Sequence, residues 1–112
     1  MRKGYRLRKR IEFSRVYGTG RSAAGRILVM YVLAREGELR IGFSAGKKLG
    51  TAVVRNRVKR RLKEVVRKHL GQLARGHYFV VIARSGATKA SLTEMDREFV
   101  AVAKRLKVWV GL

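Results

Sequence analysis

The sequence contains no cysteine, which removes disulfides, thiolate zinc sites and thiol nucleophiles together. Proline is also absent, and asparagine, glutamine and aspartate occur once each, as Asn56, Gln72 and Asp96. So few thermolabile amides agree with a thermophilic or engineered origin. Acids are scarce: seven Asp and Glu against 28 Lys and Arg leave a net charge of +21 in 112 residues. Two histidines and those few carboxylates offer little for acid–base catalysis by protein side chains. No apolar run approaches the roughly 18 residues that a membrane-spanning helix needs. The basic stretch from Met1 to Arg10 is not followed by a long apolar segment, so it does not read as a secretory signal. The expectation is a cytoplasmic protein.

What is present is a globular composition under an extreme charge. Apolar residues make up 46% of the chain, an ordinary fraction for a folded domain, so the charge does not imply disorder. The length suggests a single domain over residues 1–112, with residues 1–6 a flexible basic arm. A field of this sign attracts nucleic acid or anionic membrane and opposes compaction of the chain.

The positive charge concentrates in residues 47–68, where ten Lys and Arg accompany one acid, Glu64. Through the same stretch Val54, Val58, Leu62, Val65, Val66, His69, Leu70 and Leu73 recur every three or four residues, which puts them on one side of a helix. The other side carries Asn56, Arg60, Lys63 and Arg67. Solvated helix faces usually mix signs; this one is almost purely positive and reads as a polyanion-binding face.

Around that helix the chain reads αββαβα. Residues 8–17 form a short helix, with Ile11, Phe13, Val16 and Tyr17 apolar and Phe13 and Tyr17 on one face. Residues 18–25 are small and aperiodic, a loop. Residues 27–34 are an apolar run of strand length, and Glu36-Gly37 turns the chain into a second strand alternating Leu39, Ile41 and Phe43. These two strands are expected to pair as an antiparallel hairpin. Thr51 is placed to cap the basic helix. Residues 78–83 form a third strand, apolar enough to be buried on both faces. Ser91 and Glu94 make a capping box for a last helix, whose apolar positions Leu92, Met95, Phe99, Val102, Leu106 and Trp109 would pack on the sheet. The fold class is α+β, a small sheet packed with helices.

Several residues are candidates for chemistry. Gly42 to Lys48 lacks the GxxxxGK[ST] spacing of a nucleotide-hydrolysing loop. It retains two lysines at a helix start, which suit a phosphate. Arg55, Arg57 and Arg60 have the planar fork that grips phosphate bidentately. Asn56 could bridge a phosphate, a 2′-OH or a metal-bound water. Phe13, Tyr17 and Tyr31 would stack unpaired bases if they line one groove. Glu94, Asp96 and Glu98 crowd the start of the last helix, where they meet the helix dipole favourably and are also candidate metal ligands. His69 reads as a core-edge residue and His77 as exposed at a strand entrance.

The segment Arg55-Asn56-Arg57-Val58-Lys59-Arg60, with Lys47-Lys48, Ala52-Val53 and the strand end Val80-Val81-Ile82-Ala83-Arg84, closely resembles the protein component of bacterial ribonuclease P. The likeness runs through nearly the whole chain and includes Phe13, Tyr17 and the segment Arg26 to Tyr31. It implies an αββαβα sandwich of the ribosomal protein S5 domain 2-like type, with a left-handed βαβ crossover that the general right-handed preference would not suggest. It implies a subunit of a ribonucleoprotein whose RNA, with Mg2+, removes the 5′ leader of precursor tRNA. No membrane and no protein partner are implied. Carried over residue by residue, Lys47, Lys48, Arg55, Asn56, Arg57, Lys59, Arg60, Arg61, Lys63 and Arg67 would bind the catalytic RNA, with Asn56 near its metals. Phe13, Tyr17 and Tyr31 would line a cleft for the leader. The chain departs from the family pattern at Tyr78, where an aspartate is usual, at Lys63 and at Gly46. The alternative is a basic ribosomal or RNA-chaperone protein of similar fold with no role in tRNA maturation.

Overall fold

The computed structural model describes Leu7 and residues 10–111, with the side chains of residues 10–12 and 19 excepted. The basic arm expected at residues 1–6 and the apolar role expected of Ile11 lie outside the described residues. In chain order the elements are helix α1 (Arg10–Thr19), strands β1 (Arg21–Ala24), β2 (Leu28–Ala34) and β3 (Leu39–Ala45), helix α2 (Ala52–Lys68), strand β4 (His77–Ala83) and helix α3 (Leu92–Arg105).

The helix boundaries follow local chemistry. Thr51 caps α2, its hydroxyl accepting from the Val54 amide at 3.3 Å. Ser91 and Glu94 close the expected capping box on α3, which satisfies two amide donors that the first turn cannot. Along α2 the apolar stripe is buried at Val58, Leu62, Val65 and Val66.

The fold differs from the expectation in three ways. Its four strands run in the order β1-β2-β4-β3, so β2 and β3 do not form a hairpin. β4 lies between them, antiparallel to β2 and parallel to β3. The physical reason is burial: β4 is the most continuously buried strand, with Tyr78 to Val81 all buried, and an interior place in the sheet covers both its faces. The Glu36-Gly37 turn spans the start of β4 instead, with Arg35 donating to Gly76 O (2.6 Å) and the Gly76 and His77 amides donating to Glu38 O (2.7 and 2.9 Å). Second, residues 21–24, expected as loop, pair with β2 as the edge strand β1. Third, α3 stops at Arg105: Lys107 adopts φ 60, and Trp109 lies past the helix in a β-bridge with Leu73. Leu92, expected in the core, is exposed.

Two layers of helix enclose the sheet. α2 and α3 cover one face, burying Leu28, Met30, Ile41, Phe79 and Val81 against Val58, Leu62, Met95 and Phe99. α1 crosses the other face over a smaller cluster of Leu7, Val16, Tyr78 and Val80. The basic face of α2 and the α1 face of the sheet are therefore separate surfaces.

Candidate nucleic-acid interface

Because α2 buries its apolar stripe, its polar residues stand outward. Asn56, Arg57, Arg60 and Arg67 are exposed, and Lys59 and Lys63 half-buried. Val53, 74% exposed, joins Asn56, Lys59, Arg60 and Lys63 around a shallow depression of about 500 Å³. Lys47 and Lys48 are exposed in the 3-10 turn Lys47–Leu49 that leads into α2. Among the described residues none of Lys47, Lys48, Arg57, Lys59 or Arg60 forms an ion pair. Their charge is uncompensated, which is what a phosphate backbone needs.

Not every predicted basic residue joins that row. Arg61 turns inward and donates to the Ala90 carbonyl at 3.1 Å, tying α2 to the approach to α3. Arg67 pairs with Glu64 at 3.1 Å, an exposed pair worth under about 1 kcal/mol. Arg55 is half-buried, and its Nε is buried without a hydrogen-bond partner among the described residues. Lys63 holds its ammonium 5.9 Å from the centre of the Phe43 ring.

On the other face, the three aromatics come together. The Phe13 and Tyr17 ring centres are 6.5 Å apart, and Tyr17 meets Tyr31 edge-on at 5.2 Å. Phe13 and Tyr31 are half-buried while Tyr17 is 42% exposed. Burial, then the neighbouring Tyr31 hydroxyl, pushes the Tyr17 pKa up, so its hydroxyl stays a neutral donor. Phe13 lies over Gly42 of β3 and Tyr17 against Tyr31 of β2, so α1 runs across the strands. Beside it the next cross-strand row, Ala24, Val29, Ile82 and Ser44, is only partly covered. Helix and row make a trough with an aromatic wall and a sheet floor. At its β3 end Ser44 is followed by Lys47 and Lys48 and then by the Thr51 cap of α2. The two lysines thus stand between the trough and the basic row.

The acids that crowd the start of α3 do not converge on a metal. Glu94 accepts from the Ser91 amide at 2.9 Å, and that hydrogen bond with the Ser91 hydroxyl contact lowers its pKa. Asp96 reaches α2 instead, meeting Lys68 Nζ at 2.9 Å and His69 Nε2 at 2.6 Å. Burial would raise the Asp96 pKa, but the hydrogen bonds from His69 and Lys68 outweigh it and the net shift is downward. Glu98 turns to the β1–β2 connection. Among the described residues no group of three His, Asp or Glu side chains could hold a metal ion. His69 sits at the core edge as expected, stacked on Phe99 and edge-on to Trp109. His77, expected exposed, is half-buried at the start of β4, where its Nδ1 lies 3.1 Å from the Arg75 carbonyl.

Sequence reasoning missed the side chains that grip main chain. Arg21, Arg84, Arg105 and Glu98 each bond a distant backbone group. Such contacts impose no periodicity and no residue type on the partner, so no sequence signal marks them.

Comparison with known proteins agrees with this geometry. The family model described as Ribonuclease P matches residues 1–107. A Symbiobacterium thermophilum protein named ribonuclease P protein component is 45% identical over 107 residues, covering 94% of this chain and 93% of that one. The protein of the same name from Exiguobacterium sibiricum is 43% identical over 111 residues, covering 97% of this chain and 96% of its own. A solved structure of the Staphylococcus aureus RNase P protein superposes with a TM-score of 0.86 at 34% identity, covering 96% of this chain and 99% of that one. The RNase P protein of Thermotoga maritima gives 0.81 at 26% identity, over 89% and 96% of the two chains. With a family match over almost its full length, a shared fold, a basic helix on one surface and an aromatic trough on another, this chain belongs to the ribonuclease P protein family.

Proposed function

We propose that this chain is the protein subunit of ribonuclease P, binding the catalytic RNA along α2 and the 5′ leader of precursor tRNA in the trough beside α1. The observation that carries the reading is the pair of surfaces themselves: a row of uncompensated cations on one face, an aromatic-walled trough on the other, and Lys47 and Lys48 between them. Two RNAs repel each other strongly, and a cationic body placed between them lowers that repulsion by releasing their counterions. The subunit therefore promotes hydrolysis by positioning. Phe13, Tyr17 and Tyr31 stack unpaired leader bases without reading their sequence, since every base offers a π face.

The reacting groups belong to the RNA. Magnesium held mainly on the RNA would supply charge compensation and water activation at the leader junction. On this chain Asn56, exposed on the basic row, is the residue suited to accept from a metal-bound water. The cellular setting of such a subunit is the cytoplasm, where precursor tRNA is processed. The test is reconstitution with a bacterial ribonuclease P RNA at low magnesium. The expected result is faster precursor cleavage than by the RNA alone. No gain would remove the reading.

A further inference from the structure

Among the described residues, Glu98, one of the chain's seven acids, forms no ion pair. The Glu98 carboxylate accepts from three consecutive amides of the β1–β2 connection: Arg26 to Oε1 at 3.0 Å, and Ile27 and Leu28 to Oε2 at 2.7 and 2.8 Å. Hydrogen bonds to an ionised acceptor are about twice as strong as neutral ones. The approach is so close that a Cβ at Gly25 would stand 2.5 Å from Glu98 Oε1. The carbonyls of the same connection are held too. Arg105 donates to Ala24 O (3.1 Å), and Arg84 to Gly25 O through its side chain (3.0 Å) and to Ile27 O through its amide (2.7 Å). At the far end of β1, Arg21 donates to Leu106 O at 2.9 Å.

These ties have a positional consequence. β2 is secured by β4 along its whole length, but β1 is a short edge strand with three of its four residues exposed. Its apolar burial is too small to fix it, so polar ties to α3 do so. β1 is also the last strand of the trough floor, with Ser22 beside Tyr31 and Ala24 beside Val29. From β3 to β1 the trough crosses three strand spacings, roughly 14 Å, or about four stacked nucleotides. If leader and catalytic RNA meet at Lys47 and Lys48, the nucleotides nearest the junction lie over β3 and those farther out reach β1.

Resting on the leader-trough reading, we propose that Glu98 is a positioning residue that holds the β1–β2 connection as the outer end of the trough, where it supports leader nucleotides beyond those stacked on the aromatics. Glu98 itself lies on α3 and touches no RNA. Glutamine is nearly the same size, yet its amide nitrogen donates and cannot accept from an amide. Glu98→Gln therefore loses at least one of the three bonds and the charge that strengthens the others.

The experiment uses the reconstituted holoenzyme with Glu98→Gln and, separately, Phe13→Ala. Substrates are mature tRNA and precursors with leaders of about two and about ten nucleotides, chosen to fall short of and to exceed the trough. Amide exchange should quicken on the order of tenfold at residues 26–28 and stay unchanged in β4, as expected for one lost hydrogen bond in a folded protein. Affinity for the long-leader precursor should fall about three- to tenfold, with short-leader precursor and mature tRNA unaffected. Equal effects on short and long leaders, or unaltered exchange at residues 26–28, would overturn the role given to Glu98. Phe13→Ala separates this from the underlying reading. If it weakens mature tRNA as much as precursor, the leader trough itself is wrong, whereas a precursor-specific loss with no length effect of Glu98→Gln sinks only the present proposal.

Discussion

A methyl group added at Gly42 tests how the aromatic wall is built. Gly42 is buried in β3 under α1, paired with Val80. The Cβ of alanine there would stand 2.5 Å from Phe13 Cε1 and 3.2 Å from Leu7 Cβ. Carbon atoms in contact prefer about 3.5–4.0 Å, so the ring must retreat by roughly 1 Å or more while Leu7 gives only a few tenths. β3 cannot yield, because its far side is packed on α2 and its ladder fixes its height. Overpacking of this kind destabilises by about 1–3 kcal/mol, or several degrees of Tm in a domain of this size at roughly 4 °C per kcal/mol. The functional effect is separate. Losing one base–aromatic stack removes about 1–3 kcal/mol, which is about five- to 150-fold in affinity. The assay is binding of leader-bearing precursor against mature tRNA by the reconstituted holoenzyme, with thermal unfolding alongside, for Gly42→Ala, Phe13→Ala and the double variant. If the ring is what the methyl strikes, alanine at position 42 should add almost nothing once Phe13 is gone, because contacting sites are not additive. An equal effect with and without the ring refutes the steric account. A destabilised Gly42→Ala that still distinguishes precursor from mature tRNA as well as the parent does refutes the ring's part in leader binding.

The remaining predictions concern α2 and its junction with α3. Arg60→Ala should weaken catalytic-RNA binding and reduce the slope of log K against log salt by about one unit; an identical slope in a salt titration rules that phosphate contact out. Leu62 is fully buried, and Leu62→Ala should cost about 2–5 kcal/mol of stability in denaturant unfolding, with a far smaller loss meaning that α2 does not depend on this core. The Asp96 pKa is depressed in the folded protein, so its contribution is present above the ordinary carboxylate value of about 3.9 and disappears as pH falls through the folded value. Asp96→Asn should accordingly be less stable than the parent at neutral pH and converge with it in strong acid; curves that run parallel down to the lowest pH would contradict the clamp to Lys68 and His69.

What could be read from the residue order was what is decided locally. The stripe Val58, Leu62, Val65 and Val66, the Thr51 cap and the Ser91–Glu94 box each lie within one or two helical turns, and all were found as expected. β4 announced itself by continuous apolar content. Strand partners did not, because Glu36-Gly37 favours a hairpin locally while burial of β4 outweighs it globally. β1 has no alternation to read; it exists because β2 leaves a free edge. Trp109 continued the spacing of α3 but follows a left-handed residue at Lys107. For the site, the basic row was legible as a helix face. The nearness of Tyr31 to Tyr17 depends on how α1 crosses the sheet, which no spacing within α1 encodes. The inward turn of Arg61 and the grip of Glu98 depend on backbone groups far along the chain.

The central place of β4 also bears on how the chain is made. β2 and β3 leave the ribosome well before the strand that joins them, and at about 5–20 residues per second the wait lasts on the order of seconds. Throughout that interval two apolar segments present open edges, the usual starting point for aggregation. The nascent chain carries its own protection. Arg26, Arg35 and Arg40 lie next to or within those segments and act as gatekeepers, and α2, synthesised in the gap, adds a block of like charge that keeps neighbouring chains apart. Cations suited to RNA in the finished subunit thus guard its synthesis. Neutralising the α2 row should then lower the yield of soluble protein before any RNA is offered to it.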